Sequence, residues 1–161
     1  MRKGLIILFY FLMSIPIFIY SFEAVVIKVA DGDTVTVMSD GQKIRIRLYG
    51  IDTPEIDQVY GRESEKMLSN YVLNRVVEIE KKDIDRYKRM VAVIFLDGEN
   101  INLKMLEDGG AWAYIQYLAE DDKEEYIKAE KGAKEKGLWQ NKEAIPPWEY
   151  RKQKRLKNVL E

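Results

Sequence analysis

A small set of carboxylates and arginines stands at spacings that suit chemistry. Asp31 and Asp33 flank Gly32. Asp52, Glu55 and Asp57 fall within six residues after a strand-like run, and Arg47 lies five residues before Asp52. Arg89 closes "DRYKR" (85–89), with Arg86, Tyr87 and Lys88 beside it. Hard oxygen ligands that converge on one point make a Ca²⁺ or Mg²⁺ site. Arginines donate paired hydrogen bonds to phosphate oxygens, where negative charge grows during transfer. A carboxylate can orient or deprotonate a water. Taken together, these residue types suit hydrolysis of a phosphodiester.

Two absences narrow the field further. The sequence has no cysteine and no histidine. Disulfides, thiolate nucleophiles, cysteine-ligated metals and every histidine-based triad or zinc site are therefore excluded. "DGDTVTV" is not an EF-hand loop, because Val35, Thr36 and Gln42 hold the positions that need a ligand, a glycine and a glutamate. Each motif taken singly has a plainer explanation. Asp-Gly is common turn chemistry, and Thr53-Pro54 would also suit a helix start. An arginine on the outer face of a strand is usually solvated. The combination is what points to phosphate chemistry.

Residues 23–30, 34–38 and 43–49 alternate like strands, with the Asp40-Gly41 hairpin signal between the second and third. Met67, Leu68, Tyr71 and Val72 give 61–74 a helical stripe. Residues 76–82 and 90–96 are strands, and the second is apolar on both faces, hence central and buried. Residues 100–110 and 121–137 read as helices, with Asn100 as a cap for the first and Leu138 and Trp139 folding back onto the core after the second. Five short strands with a helix between the third and fourth is the order of an OB-type Greek-key barrel, an α+β class. The carboxylates then sit at strand ends, which a barrel could bring together.

The length suits one domain of 22–143 between two flanks. Arg2 and Lys3 precede an uncharged apolar run at 4–20 interrupted by Pro16. This is the pattern of a secretory signal peptide over 1–21, with an uncleaved membrane anchor as the alternative. The expected location is secreted, or the cell envelope or periplasm. Without that segment the chain keeps 24 Lys+Arg against 27 Asp+Glu, a net −3 rather than the −1 of the whole. Net charge therefore does not recruit nucleic acid, and a local basic patch must. Residues 144–161 read as a tail: a Pro-Pro break and then Arg151, Lys152, Lys154, Arg155 and Lys157, expected to be solvated, with a grip on nucleic acid as the alternative.

"VADGDTVTV" (29–37), "IRLYGIDTPE" (46–55), "YG" (60–61), "DRYKR" (85–89), "AWAY" (111–114), "AE" (129–130) and "GLW" (137–139) occur in one order over roughly 23–140. In that order and spacing the chain resembles the staphylococcal (micrococcal) nuclease family. The resemblance implies an OB-fold barrel with three helices and a Ca²⁺-dependent nuclease acting on DNA and RNA, leaving 3′-phosphate ends. By position it implies that Asp33 and Asp52 hold the calcium, with a backbone carbonyl from Thr53 and with Asp31 behind them. Glu55 matches the general base of the family, and Arg47 and Arg89 match its phosphate-binding arginines. The tyrosines that border the nucleotide correspond to Tyr87 and to Tyr114 or Tyr117. The family often has glycine where this chain has Lys88, which adds charge near the phosphate. No protein partner is implied, and a monomer is expected. Two other readings stand beside this one: a nucleic-acid-binding OB module without catalysis, and an envelope protein using Ca²⁺ structurally.

Overall fold

The structure is a computed structural model, and it describes residues 21–160. The apolar segment expected as a signal peptide or anchor lies outside the described residues, except Ser21. Among the described residues no helix is long and apolar enough to cross a membrane.

Alternating apolar residues set the first three strands side by side. β1 (Ser21–Asp31) pairs antiparallel with β2 (Thr34–Ser39), and β2 with β3 (Gln42–Leu48). The β2–β3 turn is Asp40-Gly41, both at positive φ, 47° and 76°. That geometry matches the right-handed twist of the flanking strands. β4 (Ile51–Asp52) is short, and α1 (Gly61–Val72) follows. β5 (Val76–Ile84) pairs antiparallel with β1, and β6 (Met90–Leu96) with β5.

One pairing closes the sheet. β6 runs parallel to β3, with Ile46 opposite Met90 and Leu48 opposite Ala92. The order β3-β2-β1-β5-β6 thus returns on itself as a five-stranded barrel. Closure hides the strand edges, which otherwise invite pairing with another chain. It also explains the apolar β6: this strand has neighbours on both sides and buries Ala92, Val93 and Ile94.

β7 (Glu99–Asn100) leads into α2 (Ile101–Glu107), whose first turn is capped by Asn100 accepting from Leu103 N–H at 3.1 Å. β8 (Trp112–Ala113) pairs with β4. α3 (Lys123–Gly132) packs on α2, and a short 3₁₀ turn at Gly137–Gln140 buries Leu138 and sets Trp139 edge-on to Trp112. α4 (Pro147–Leu160) is the last element of the described residues. The described residues therefore carry four helices where three were expected, because the tail is helical.

The core fills the barrel with Val26, Val35, Val37, Ile46, Leu48, Ile79 and Ile94, and the helices seal it with Leu68, Met105 and Leu106. Each such side chain contributes roughly 1.5–3 kcal/mol by leaving water. A buried amide ties the core to the strand ends. Asn102 accepts from Ile94 N–H (3.2 Å) and donates to the carbonyls of Tyr49 (2.9 Å) and Ala92 (3.1 Å). It locks the end of β3 to β6, the junction where the arginines emerge.

Candidate active site

Register alone gathers most of the predicted residues. Thr34 lies opposite Arg47 in the β2–β3 ladder, so the β1–β2 turn with Asp31 and Asp33 sits beside that arginine. The parallel β3–β6 pairing puts Arg47 opposite Val91, which brings Arg89 to the same end. β4 follows β3 through Gly50 and delivers Asp52 and Thr53, held in place by β8. Gly32 permits the closest approach: a Cβ there would stand 2.8 Å from Ser64 Cβ and 2.9 Å from Thr53 Cβ. Any side chain at 32 would push Thr53 out of position.

Arg47 is central. Its Nη1 meets Asp33 Oδ2, and its Nη2 donates to Asp52 Oδ1 at 2.9 Å. The expectation of a solvated strand arginine does not hold for it, since its side chain is only 14% exposed. Burial pulls its pKa down, and the charges of Asp52 and Asp31 oppose that shift. An unpaired charge at such depth is costly, so the two aspartates and the arginine exist as a set. Asp33 Oδ2 also accepts from Thr53 N–H and Oγ1, both at 3.0 Å, and Asp33 Oδ1 accepts from Thr34 Oγ1 at 3.0 Å. Thr53 is therefore no helix cap; α1 starts eight residues later, at Gly61.

Asp31 stands behind this set, its Oδ1 accepting from Asp33 N–H at 3.1 Å. Burial raises its pKa, against the pull of the Thr34 hydroxyl and of the Arg47 and Arg89 charges. Glu55 is at the rim, with its side chain 41% exposed.

Arg89 belongs to the loop before β6. Its Nε donates to Asp85 Oδ2 at 2.7 Å, and its Nη1 reaches Thr34 Oγ1 at 3.5 Å. Thr34 thereby links it to Asp33. Asp85 Oδ1 accepts the N–H groups of Tyr87 and Arg89, both at 2.9 Å, so one carboxylate organises the whole turn. Lys88 adopts φ 62°, the left-handed region that glycine occupies freely. Tyr87 is 65% exposed, with the Arg86 and Arg89 guanidinium groups over its ring.

Tyr114 and Tyr117 follow β8, their rings 4.6 Å apart. Tyr117 is exposed, while Tyr114 is half-buried. Burial raises the Tyr114 pKa, and the charge of Asp52 adds to the shift.

One part of the site escaped the sequence reading. Arg151, expected to be solvated, points into the cleft from α4. It donates to Asp52 Oδ2 (2.7 Å), Asp52 Oδ1 (3.2 Å) and Glu55 Oε1 (2.9 Å). Burial works against its charge, but these bonds outweigh that and raise its pKa. Trp148, one turn earlier, stacks on Tyr114 at 5.6 Å and 3°. Pro147 at the first helical position was the available signal for the helix itself. Nothing local signals a contact with a residue 99 positions away.

The donor set fits a hard cation. Asp33 and Asp52 are buried, all-oxygen, and already share one cationic partner in Arg47. Among the described residues no three acidic side chains form a ready cage. An ion held by Asp33, Asp52 and the Thr53 carbonyl would therefore take the rest of its shell from water or substrate.

Comparison with known proteins agrees with this architecture. The family model described as staphylococcal nuclease homologue matches residues 45–141. The chain is 40% identical over 134 residues to an uncharacterised endonuclease of Haemophilus influenzae, covering 81% of this chain and 74% of that protein. It is 37% identical over 145 residues to an uncharacterised endonuclease of Escherichia coli O157:H7, covering 89% and 94%. It is 31% identical over 151 residues to a micrococcal nuclease of Shigella flexneri, covering 88% and 86%. A match over more than half its length, together with relatives this similar along most of their own, fixes its descent: the chain belongs to the staphylococcal nuclease family.

Proposed function

We propose that this hydrolytic nuclease is an exported, Ca²⁺-dependent enzyme that cuts phosphodiester bonds of DNA and RNA with little base specificity. The observation that carries the reading is the buried Asp33–Arg47–Asp52 bridge, with Arg89 joined to it through Thr34. Buried acids and half-buried arginines in one cluster have no structural need for each other that apolar residues would not meet better.

Asp33, Asp52 and the Thr53 carbonyl would hold Ca²⁺. When bound, the ion supplies positive charge that polarises a non-bridging phosphate oxygen. Arg47 and Arg89 donate hydrogen bonds to the phosphate oxygens, more strongly as charge accumulates on them. Asp85 and Thr34 aim the Arg89 fork, so little is lost in ordering it on binding. Glu55, at the rim and open to water, accepts a proton from the attacking water. The new bond joins water oxygen to phosphorus. The bond from phosphorus to the 5′ oxygen breaks, the departing oxygen takes a proton from solvent water, and the products are a 3′-phosphate and a 5′-hydroxyl.

The contacts are to phosphate, which carries no sequence information, and this supports weak base preference. Export rests on the basic start and the apolar run before Ser21. The direct test is hydrolysis of single-stranded DNA and of RNA by the purified protein, with Ca²⁺ or with EGTA. Activity is expected with Ca²⁺ alone. Equal activity in both, or none in either, removes the metal-dependent reading.

A further inference from the structure

The first turns of α4 occupy the cleft that the proposed reaction needs. Arg151 takes both oxygens of Asp52, a residue 1% exposed, and one oxygen of Glu55. These are a proposed calcium ligand and the proposed base. Trp148 lies flat on Tyr114, where an aromatic ring would receive a nucleobase. The two residues are three apart, so they share one face of the helix and dock together. Lys154 continues that face and pairs with Asp57; Tyr150 Oη donates to the Asp57 carbonyl at 3.3 Å. Gln58 Nε2 donates to the Ile145 carbonyl at 2.6 Å and fixes the approach of the segment.

The docking is built to be reversible. Pro147 is buried, but beyond the first turn α4 covers little: Leu156 is 58% exposed and Val159 82%. Past Trp148 and Tyr150 the helix is thus held by the charge pairs of Arg151 and Lys154, and the exposed Lys154–Asp57 pair is weakened by water and salt. Arg47 differs, being anchored in a barrel strand and almost enclosed. A divalent cation at Asp52 repels both guanidinium groups, and the exposed one on the terminal helix gives way first.

We propose that α4 is an intramolecular competitor for the active site, with Arg151 standing in for the metal ion at Asp52 and blocking the base Glu55, and with Trp148 standing in for a nucleobase on Tyr114. Ca²⁺ and a nucleotide displace it together; this rests on the function proposed above. The site is self-shielded until both ligands are present. Once released, Arg151, Lys152, Lys154, Arg155 and Lys157 form a mobile basic arm beside the substrate.

The test compares the purified protein with Arg151→Gln and Trp148→Ala. Calorimetry without nucleotide reads Ca²⁺ affinity directly. Arg151→Gln is expected to bind Ca²⁺ about tenfold more tightly, the scale of a single charge-assisted hydrogen bond, because water screens a partly exposed site. Trp148→Ala is expected to bind a deoxynucleoside 3′,5′-bisphosphate more tightly in saturating Ca²⁺. Hydrogen exchange of the α4 amides in the unaltered protein is expected to speed up when Ca²⁺ and the bisphosphate are both added. Equal or weaker Ca²⁺ binding by Arg151→Gln overturns the proposal, as does weaker nucleotide binding by Trp148→Ala or an α4 that stays protected with both ligands bound. No Ca²⁺ binding by either the protein or Arg151→Gln overturns the metal-dependent function as well, so the two failures are told apart.

Discussion

At the scale of single residues, the site divides into groups whose burial fixes their role and one whose exposure does. Asp33, Asp52 and Arg47 are enclosed and mutually paired, so changing any of them removes a partner from a buried charge. Glu55 is at the rim, and its replacement leaves the barrel untouched. Glu55→Gln is expected to lower turnover on single-stranded DNA by about 10²–10⁴, the usual contribution of a positioned general base. Binding of a nucleotide bisphosphate with Ca²⁺ should persist. Unchanged turnover would remove Glu55 as the base. Lys88 makes a different point. Its φ of 62° disfavours any residue with a Cβ, and a β-branched one most. Lys88→Val is expected to cost about 1–2 kcal/mol in a urea titration, while Lys88→Gly should be neutral or stabilising. The turn tolerates lysine because Asp85 and three backbone N–H bonds from Tyr87, Lys88 and Arg89 overdetermine it.

At the scale of elements, short strands and helix ends act as struts for the cleft. β8 holds β4, and so Asp52, by pairing Asp52 with Trp112 and Ile51 with Ala113. α3 holds β8 in turn, because Glu130 Oε1 accepts from Ala113 N–H at 2.8 Å. Burial raises the pKa of Glu130, with the Ala113 N–H opposing. The folded state then keeps its proton at a pH where the unfolded chain has released it. The linked stability is complete below the ordinary value of 4.5 and is lost as pH rises through the folded pKa. Glu130→Gln keeps the acceptor and cannot ionise. Its denaturation midpoint should exceed that of the unaltered protein more at pH 7 than at pH 4.5. A constant difference between the two pH values would rule out the linkage.

At the scale of the whole molecule, charge is distributed against the trend of the total. The chain carries a net −1, yet Arg47 and Arg89 converge at one end of the barrel, with Arg86 and Lys88 in the loop beside them. Binding of nucleic acid therefore depends on this patch rather than on an overall basic field. With about three or four phosphates engaged, log K for single-stranded DNA should fall against log salt with a slope of about −2 to −3. Filter binding of Glu55→Gln in Ca²⁺ measures this without cleavage. A slope near zero would mean that the patch does not contact the backbone. A slope much steeper than −3 would bring the α4 cations into contact with the strand.

Much of this molecule was written locally. The Asp40-Gly41 turn, the apolar β6, the Asn100 cap and the strand-end carboxylates follow from alternation, turn chemistry and capping, which act over a few residues and so can be read in order along the chain. The same signal was present in Asp97-Gly98, both at positive φ, where it adds the short β7 that the sequence reading passed over. Those local signals are enough for the barrel and for the charged residues at its strand ends. Tertiary packing set the depth of Arg47, because a strand's outer face is solvated or enclosed according to what covers it. It alone placed Arg151 and Trp148 in the cleft, since a salt bridge to Asp52 and a stack on Tyr114 depend on distances in space that sequence separation does not encode.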